Sequence, residues 1–193
     1  MNTPEKYLLD TFDESLAIKR RFYEENQQSL IAGARAIGHS IENGGKFLIM
    51  GNGGSAADAQ HVAAEMVGRM LLERRPLPAI ALTTDTSILT AVGNDYGYDM
   101  IFLKQIQALA RKEDVVLAIS TSGNSKNVLL AAEEAKRIGC VLITLTGGSG
   151  GKLMEIGDVK INASLGKNSS RVQESHLFAL HSLVDVLDRF FLK

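Results

Sequence analysis

The chain is 193 residues long, which at roughly 150 residues per domain allows one domain with a sizeable core. It carries 21 Lys and Arg against 22 Asp and Glu, a net charge of −1 spread along the chain, so it offers no basic footprint for nucleic acid. The 45% hydrophobic content argues against disorder, no apolar run approaches the ~20 residues of a membrane span, and the one cysteine, Cys140, excludes a disulfide framework or a cysteine-rich metal site. The opening residues, MNTPEKYLLDTFDESL, have neither a basic region nor an apolar stretch after it, so no signal peptide and a cytoplasmic location are expected.

In chain order, Leu9, Phe12 and Leu16, then Leu30, Ala34, Ile37 and Ile41, recur at helical spacing and predict two amphipathic helices, the second stopped by Gly44 and Gly45. Short apolar runs follow at 46–50, 79–82, 115–120, 141–145 and 159–163, separated by helical stretches. Strands alternating with helices predict a parallel sheet of the α/β class. Leu180, Leu183, Leu187 and Phe190 place a long helix from about Ser170 to Phe191. The organisation is one structural unit, a helical extension over 1–45 and an α/β body over 46–193. Leu177, Val184 and Phe191 widen the last helix's apolar surface beyond one stripe. Either the N-terminal helices or a second subunit must cover the surplus.

The loops after the strands read GNGGS (51–55), TTDTS (83–87), STSGNS (120–125) and TGGSGG (146–151), and ligands of open α/β sheets gather at such strand ends. Gly51 to Ala56 opens a helix, and its N–H groups suit an anionic or hydroxyl-rich ligand. It fits the dinucleotide pattern G-x-G-x-x-A, but no acid follows at the end of the second strand, and no Lys follows the glycines as a Walker A loop requires. A tight turn explains the glycines but not Asn52 with Ser55. The Ser120–Ser125 loop, with Ser125 or Asn124 as N-cap, is read either as a phosphate cradle of neutral donors or as plain capping. Gly147-Gly148-Ser149-Gly150-Gly151 matches the nucleophile elbow, with Asp158 and His181 in hydrolase order, but Asp158 belongs at the wrong end of the sheet. His61 and Glu65 share a helix face among small apolar neighbours, which favours a buried polar pair needing a third partner. Gln173, Glu174, His176 and His181 on the last helix could supply it; His176 aligns with the apolar stripe as a core histidine, and His39 reads as structural.

With these residues in place the sequence resembles the phosphoheptose isomerases, a branch of the sugar isomerase (SIS) domain family. The likeness runs from about Asn43 to the C-terminus, through GNGGSAADAQHVAAE (51–65), LTTDTSILTAVGNDYG (82–97), ISTSGNSKNV (119–128), LTGGSGG (145–151) and RVQESH (171–176) with His181. The resemblance implies a five-stranded parallel sheet of flavodoxin-like order and a homotetramer with sites at subunit interfaces. It also implies conversion of D-sedoheptulose 7-phosphate to D-glycero-D-manno-heptose 7-phosphate, the first step towards nucleotide-activated heptose for lipopolysaccharide or another surface glycan. It implies one zinc per subunit on His61, Glu65, Gln173 and His181. Sugar hydroxyls and phosphate fall to Asn52, Gly53, Gly54, Ser55, Glu65, Asn94, Asp95, Ser120, Thr121, Ser122, Ser125 and Gln173. Ser170 stands where some members carry Asp. Isomerisation through an enediolate needs a base, a group that handles oxygen protons and positive charge near the oxyanion. Glu65 fits the base, His181 the acid/base partner and zinc the Lewis acid. The rivals are a non-catalytic SIS protein like the DnaA initiator-associating protein, or an SIS isomerase for another sugar phosphate; the intact His61, Glu65, Gln173 and His181 set speaks against the first.

Overall fold

The computed structural model describes residues 3–166 and 168–192. The two helices expected at the start are one, α1 (Pro4–Glu42), 39 residues long and capped by Thr3, whose hydroxyl accepts from Lys6 N. The intervening AIKRRFYEENQQ contains no Gly or Pro and is rich in helix formers, with Arg21 and Glu25 paired one turn apart, so nothing breaks the helix.

Five short strands follow, β1 (Phe47–Met50), β2 (Ala79–Ala81), β3 (Val115–Ser120), β4 (Val141–Gly147) and β5 (Val159–Ala163). They are joined by α2 (Gly54–Val67), α3 (Thr86–Tyr96), a 3-10 turn with α4 (Ile101–Leu109), α5 (Lys126–Ile138) and α6 (Gly151–Ile156), and α7 (Ser169–Phe190) completes the chain. All strand pairs are parallel, in the order β2-β1-β3-β4-β5. The order reverses between β1 and β3, so their loops splay apart at the carboxyl ends and open a crevice. GNGGS and STSGNS flank it.

The central strands are apolar on both faces because both are covered. Phe47, Ile49, Val115, Leu117 and Ile119 join Phe22, Leu30, Ile37, Val62, Leu180 and Leu183 in a core under α1, α2 and α7. Leu48, Met50, Val116 and Ala118 join Phe102, Ile106, Val128 and Leu153 in a second core on the other face. The C-terminal half of α1 is therefore part of the α/β body. Its first turns are not: Leu9, Phe12 and Leu16, the stripe that marked it as amphipathic, are exposed, and contact with α7 begins at Glu14 and Ser15, which meet Arg171 and Glu174. On α7, Leu180, Leu183, Val184 and Leu187 are buried while Leu177, Phe178, Val186 and Phe190 remain exposed, so α1 covers only part of the surplus.

Candidate active site

Ser120, Ser122 and Ser125 bring their hydroxyls together at the start of α5. Ser120 Oγ lies 3.0 Å from Ser125 Oγ and 3.5 Å from Ser122 Oγ. Ser125 occupies the N-cap position, but its hydroxyl makes no capping bond; Val128 N donates to Asn127 Oδ1 at 2.9 Å, and the N–H groups of Lys126 and Asn127 are left as the positive end of α5 beside three hydroxyls. Capping therefore does not account for this loop. Gly123, with φ +63, lies against the Gly150 carbonyl, and Leu153 N donates to Gly123 O at 3.0 Å; a Cβ at Gly123 would collide with that carbonyl and force the loops apart. Thr121 and Ser122, Gly147 to Ser149 and Asn168 with Ser169 line a cavity of about 310 Å³ between this loop, the β4–α6 loop and the start of α7.

Asn52 fixes the neighbouring wall. Its Nδ2 donates to Asn127 Oδ1 and its Oδ1 accepts from Asn127 Nδ2, both at 2.9 Å, and Tyr98 OH donates to the same Oδ1 at 3.0 Å. The amide is thereby occupied in tying the β1 loop to α5, and Ser55 N and Ala56 N already donate to Asn52 O and Gly53 O, which leaves recognition to the backbone N–H groups of Gly53 and Gly54. Buried Asn127 belongs to the site but did not stand out in the sequence, since nothing in ISTSGNSKNV separates a bridging Asn from a solvated one.

The titratable groups stand where α2 and α7 lie side by side. Three cross-contacts come in the same order on both helices, so the two run parallel: Gly54 against the Gln173 amide, His61 against His181, and residues just past the end of α2 against Asp188. The contact at the first is close enough that a Cβ at Gly54 would displace the Gln173 amide. At the second, His61 Nε2 and His181 Nε2 are 2.8 Å apart, and Glu65 Oε1 is 3.8 Å from the same His61 nitrogen. Asp58, one turn before His61, is half-buried with Oδ2 unpartnered. Burial raises its pKa, and the nearby His61 and His181 oppose the rise. Asp58 is the carboxylate that reading the α2 face for His and Glu alone passes over; its i, i+3 spacing to His61 is the signal.

One expectation is revised here. His61 is exposed and Glu65 half-buried, so the pair is not buried within one chain; Ala57, Gln60, Ala64 and Gly68 are exposed alongside it. Gln173 stands eight residues, about 12 Å of axial rise, from His181, and in a single chain belongs to the contact above. Among the described residues no three His, Cys, Asp or Glu side chains converge as a metal cluster. The donor chemistry does fit a cation: two facing imidazole Nε2 atoms repel unless a proton or metal ion lies between them. Asn94 and Asp95 lie near the end of α3, which buries no residue, and Asn94 Nδ2 donates to Asp95 Oδ1 at 2.8 Å. Asp158 sits at the amino ends of the strands, holding Leu142 N and Lys136, which removes it from Ser149 and from any triad. His176 is fully buried and donates to Thr146 O at 2.9 Å, and burial pushes its pKa down to about 4.

Residues 11–147 match the family model of the SIS domain. A phosphoheptose isomerase of Geotalea daltonii is 54% identical over 86% of this chain and 86% of its own length. The chain belongs to the phosphoheptose isomerases of the SIS domain family. Among solved structures, the phosphoheptose isomerase of Neisseria gonorrhoeae superposes with a TM-score of 0.91 at 42% identity, covering 97% of this chain and all of that one. That of Francisella tularensis gives 0.92 at 39% identity, covering 97% and 99%. No helix among the described residues is long and apolar enough to cross a membrane.

Proposed function

We propose that the protein interconverts D-sedoheptulose 7-phosphate and D-glycero-D-manno-heptose 7-phosphate. The observation that carries this reading is the juxtaposition of Glu65 with the His61 and His181 imidazoles, on a helix whose start adjoins a neutral hydroxyl cradle. Ketose-to-aldose conversion moves one proton from C1 to C2 and a second from O1 to O2, with no net change in charge or redox state. Glu65 takes the C1 proton and returns it to C2, and His181 passes the oxygen proton. Ser120, Thr121, Ser122 and Ser125, with the start of α5, hold the phosphate; Gly53, Gly54 and Ser55 hold the sugar. His61, Glu65, Gln173 and His181 are the side chains that would hold zinc, and a bound zinc supplies positive charge for the oxyanion.

The reading extends to assembly and setting. The exposed Leu9, Phe12 and Leu16 on α1, with Phe178 and Val186 on α7, favour burial against further copies in a homotetramer, and the exposed small residues beside His61 suit close approach of a neighbour. The setting is the cytoplasm and the product feeds nucleotide-activated heptose for lipopolysaccharide or another surface glycan. A panel of sugar phosphates tests the activity. Turnover of sedoheptulose 7-phosphate is expected, and inactivity on it beside turnover of a hexose or amino-sugar phosphate overturns the assignment. Elemental analysis is expected to find about one zinc per chain, in line with an N/O donor set; full activity in chelator with no bound metal removes zinc from the reading.

A further inference from the structure

Below the imidazoles, the lowest contact between α2 and α7 is an ion pair with no solvent exposure. Arg74 Nε donates to Asp188 Oδ1 at 3.0 Å, and both side chains are 0% exposed. The guanidinium does more than neutralise Asp188. Its Nη2 donates to Glu65 O at 2.7 Å, and its Nη1 donates to Met66 O at 2.8 Å and Gly68 O at 2.7 Å. These are carbonyls at the α2 C-terminus, which lack helical partners and carry the negative end of the dipole. Asp188 Oδ2 accepts from Leu71 N and Leu72 N, both at 3.2 Å, and so fixes the chain leaving α2. Asp188 lies in the last turn of α7, where the dipole disfavours a carboxylate, and a buried ion pair is on general grounds a poor source of stability against apolar side chains of similar size.

What the pair does secure is geometry. One of its bonds ends on the backbone of Glu65 itself, and Asp188 is seven residues, two turns, below His181 on the same face of α7. We propose that Arg74 and Asp188 are positioning residues that set the height and rotation of Glu65 on α2 against His181 on α7. The proposal rests on the isomerase reading for its consequence in turnover, and on the contacts above for its geometry. A shift of the order of 1 Å between base and acid partner costs up to about 10²-fold in rate, while the phosphate cradle, on other elements, is untouched.

The test compares Arg74→Lys with the double variant Arg74→Met/Asp188→Leu. The first keeps a charge opposite Asp188 but cannot reach three carbonyls at once; the second removes both charges together and leaves none buried alone. Both are read by thermal unfolding, by steady-state kinetics with sedoheptulose 7-phosphate, and by the ring Cε1–H NMR signals of His61 and His181. Folded variants whose kcat falls about tenfold or more with KM within about twofold, and with both histidine signals moved, are expected for misplaced groups. A folded double variant with wild-type kcat and unmoved signals overturns the proposal, as does Arg74→Lys with that result should the double variant not fold. Should the wild type itself fail to turn over the sugar phosphate, the activity reading falls separately, and the histidine signals decide the positioning role: moved they uphold it, unmoved they overturn it.

Discussion

The seam between α2 and α7 and the cradle between β3 and α5 adjoin one another but are built from different materials. The seam holds titratable side chains on two helices, with His61 and His181 2.8 Å apart, Glu65 beside them and Asp58 half-buried behind. The cradle holds neutral hydroxyls on a loop whose helix start is left uncapped. Helices fix side-chain positions to the precision that proton transfer needs. A loop presenting N–H and O–H groups suits a dianion, which needs donors from several directions and no competing base. The difference separates rate from affinity, and each region can be disturbed without the other.

The largest expected effect lies in the seam. Glu65→Gln and His181→Gln each lower kcat by about 10²-fold or more with KM for the phosphorylated sugar little changed, as loss of an acid–base group requires. Steady-state kinetics on folded protein checks this; near-parental kcat in both would dissolve the distinction between the regions. Co-refolding the two inactive proteins as mixed oligomers sharpens it further. Partial recovery of activity is expected if the residues of one site come from two chains, and none if both come from one.

The next effect falls between the regions, at His176 on α7, which ties the seam to the end of β4 through Thr146 O. Its folded pKa of about 4 lies below an ordinary 6.5, so the unfolded chain binds the proton first. The folded form is fully favoured above about pH 6.5 and loses up to about 3 kcal/mol as the pH falls towards 4, with no further loss from this group below that. Urea unfolding across this window is expected to show a shallower loss in His176→Gln than in the parent. Equal slopes would mean that other groups govern acid stability.

Much of this was legible in the sequence, because strand alternation and loop composition are local. The parallel sheet, the GNGGS and STSGNS loops, the core role of His176 and the helical register of His61 with Glu65 all follow from spacing within one element. What was not legible depends on pairs of distant elements. Asn127 reads as a solvated helix residue until Asn52 is seen to bond it from the β1 loop, 75 positions away. Arg74 reads as one of two arginines before a strand until α7 brings Asp188 beneath it. The continuity of α1 escaped for the same reason: across its middle the buried face is Ser15, Ile18, Phe22 and Asn26, and the polar members read as solvated until Asn26 is seen to bond the backbone of Asn162 in β5.

The smallest effects belong to the cradle, and they separate a phosphate site from a structural turn. Ser120, Ser122 and Ser125 each offer one hydroxyl, and a neutral hydrogen bond is worth about 1 kcal/mol net, so each Ser→Ala is expected to raise KM about fivefold with kcat nearly unchanged. Ser125 is the most telling of the three. A capping serine replaced by Ala would cost stability, on the order of 1 kcal/mol, whether or not substrate is present. Ser125 makes no capping bond and its hydroxyl meets only Ser120 Oγ among the described residues, so its loss should lower the thermal stability of the free protein by no more than that one contact and weaken binding of phosphorylated sugar. Calorimetric titration with a sugar phosphate and with the same sugar lacking phosphate reads the two contributions apart. The penalty is expected for the phosphorylated ligand alone. An equal penalty for both sugars would place the hydroxyls against the carbon chain, and a fall in Tm without any change in affinity would return the loop to a structural turn.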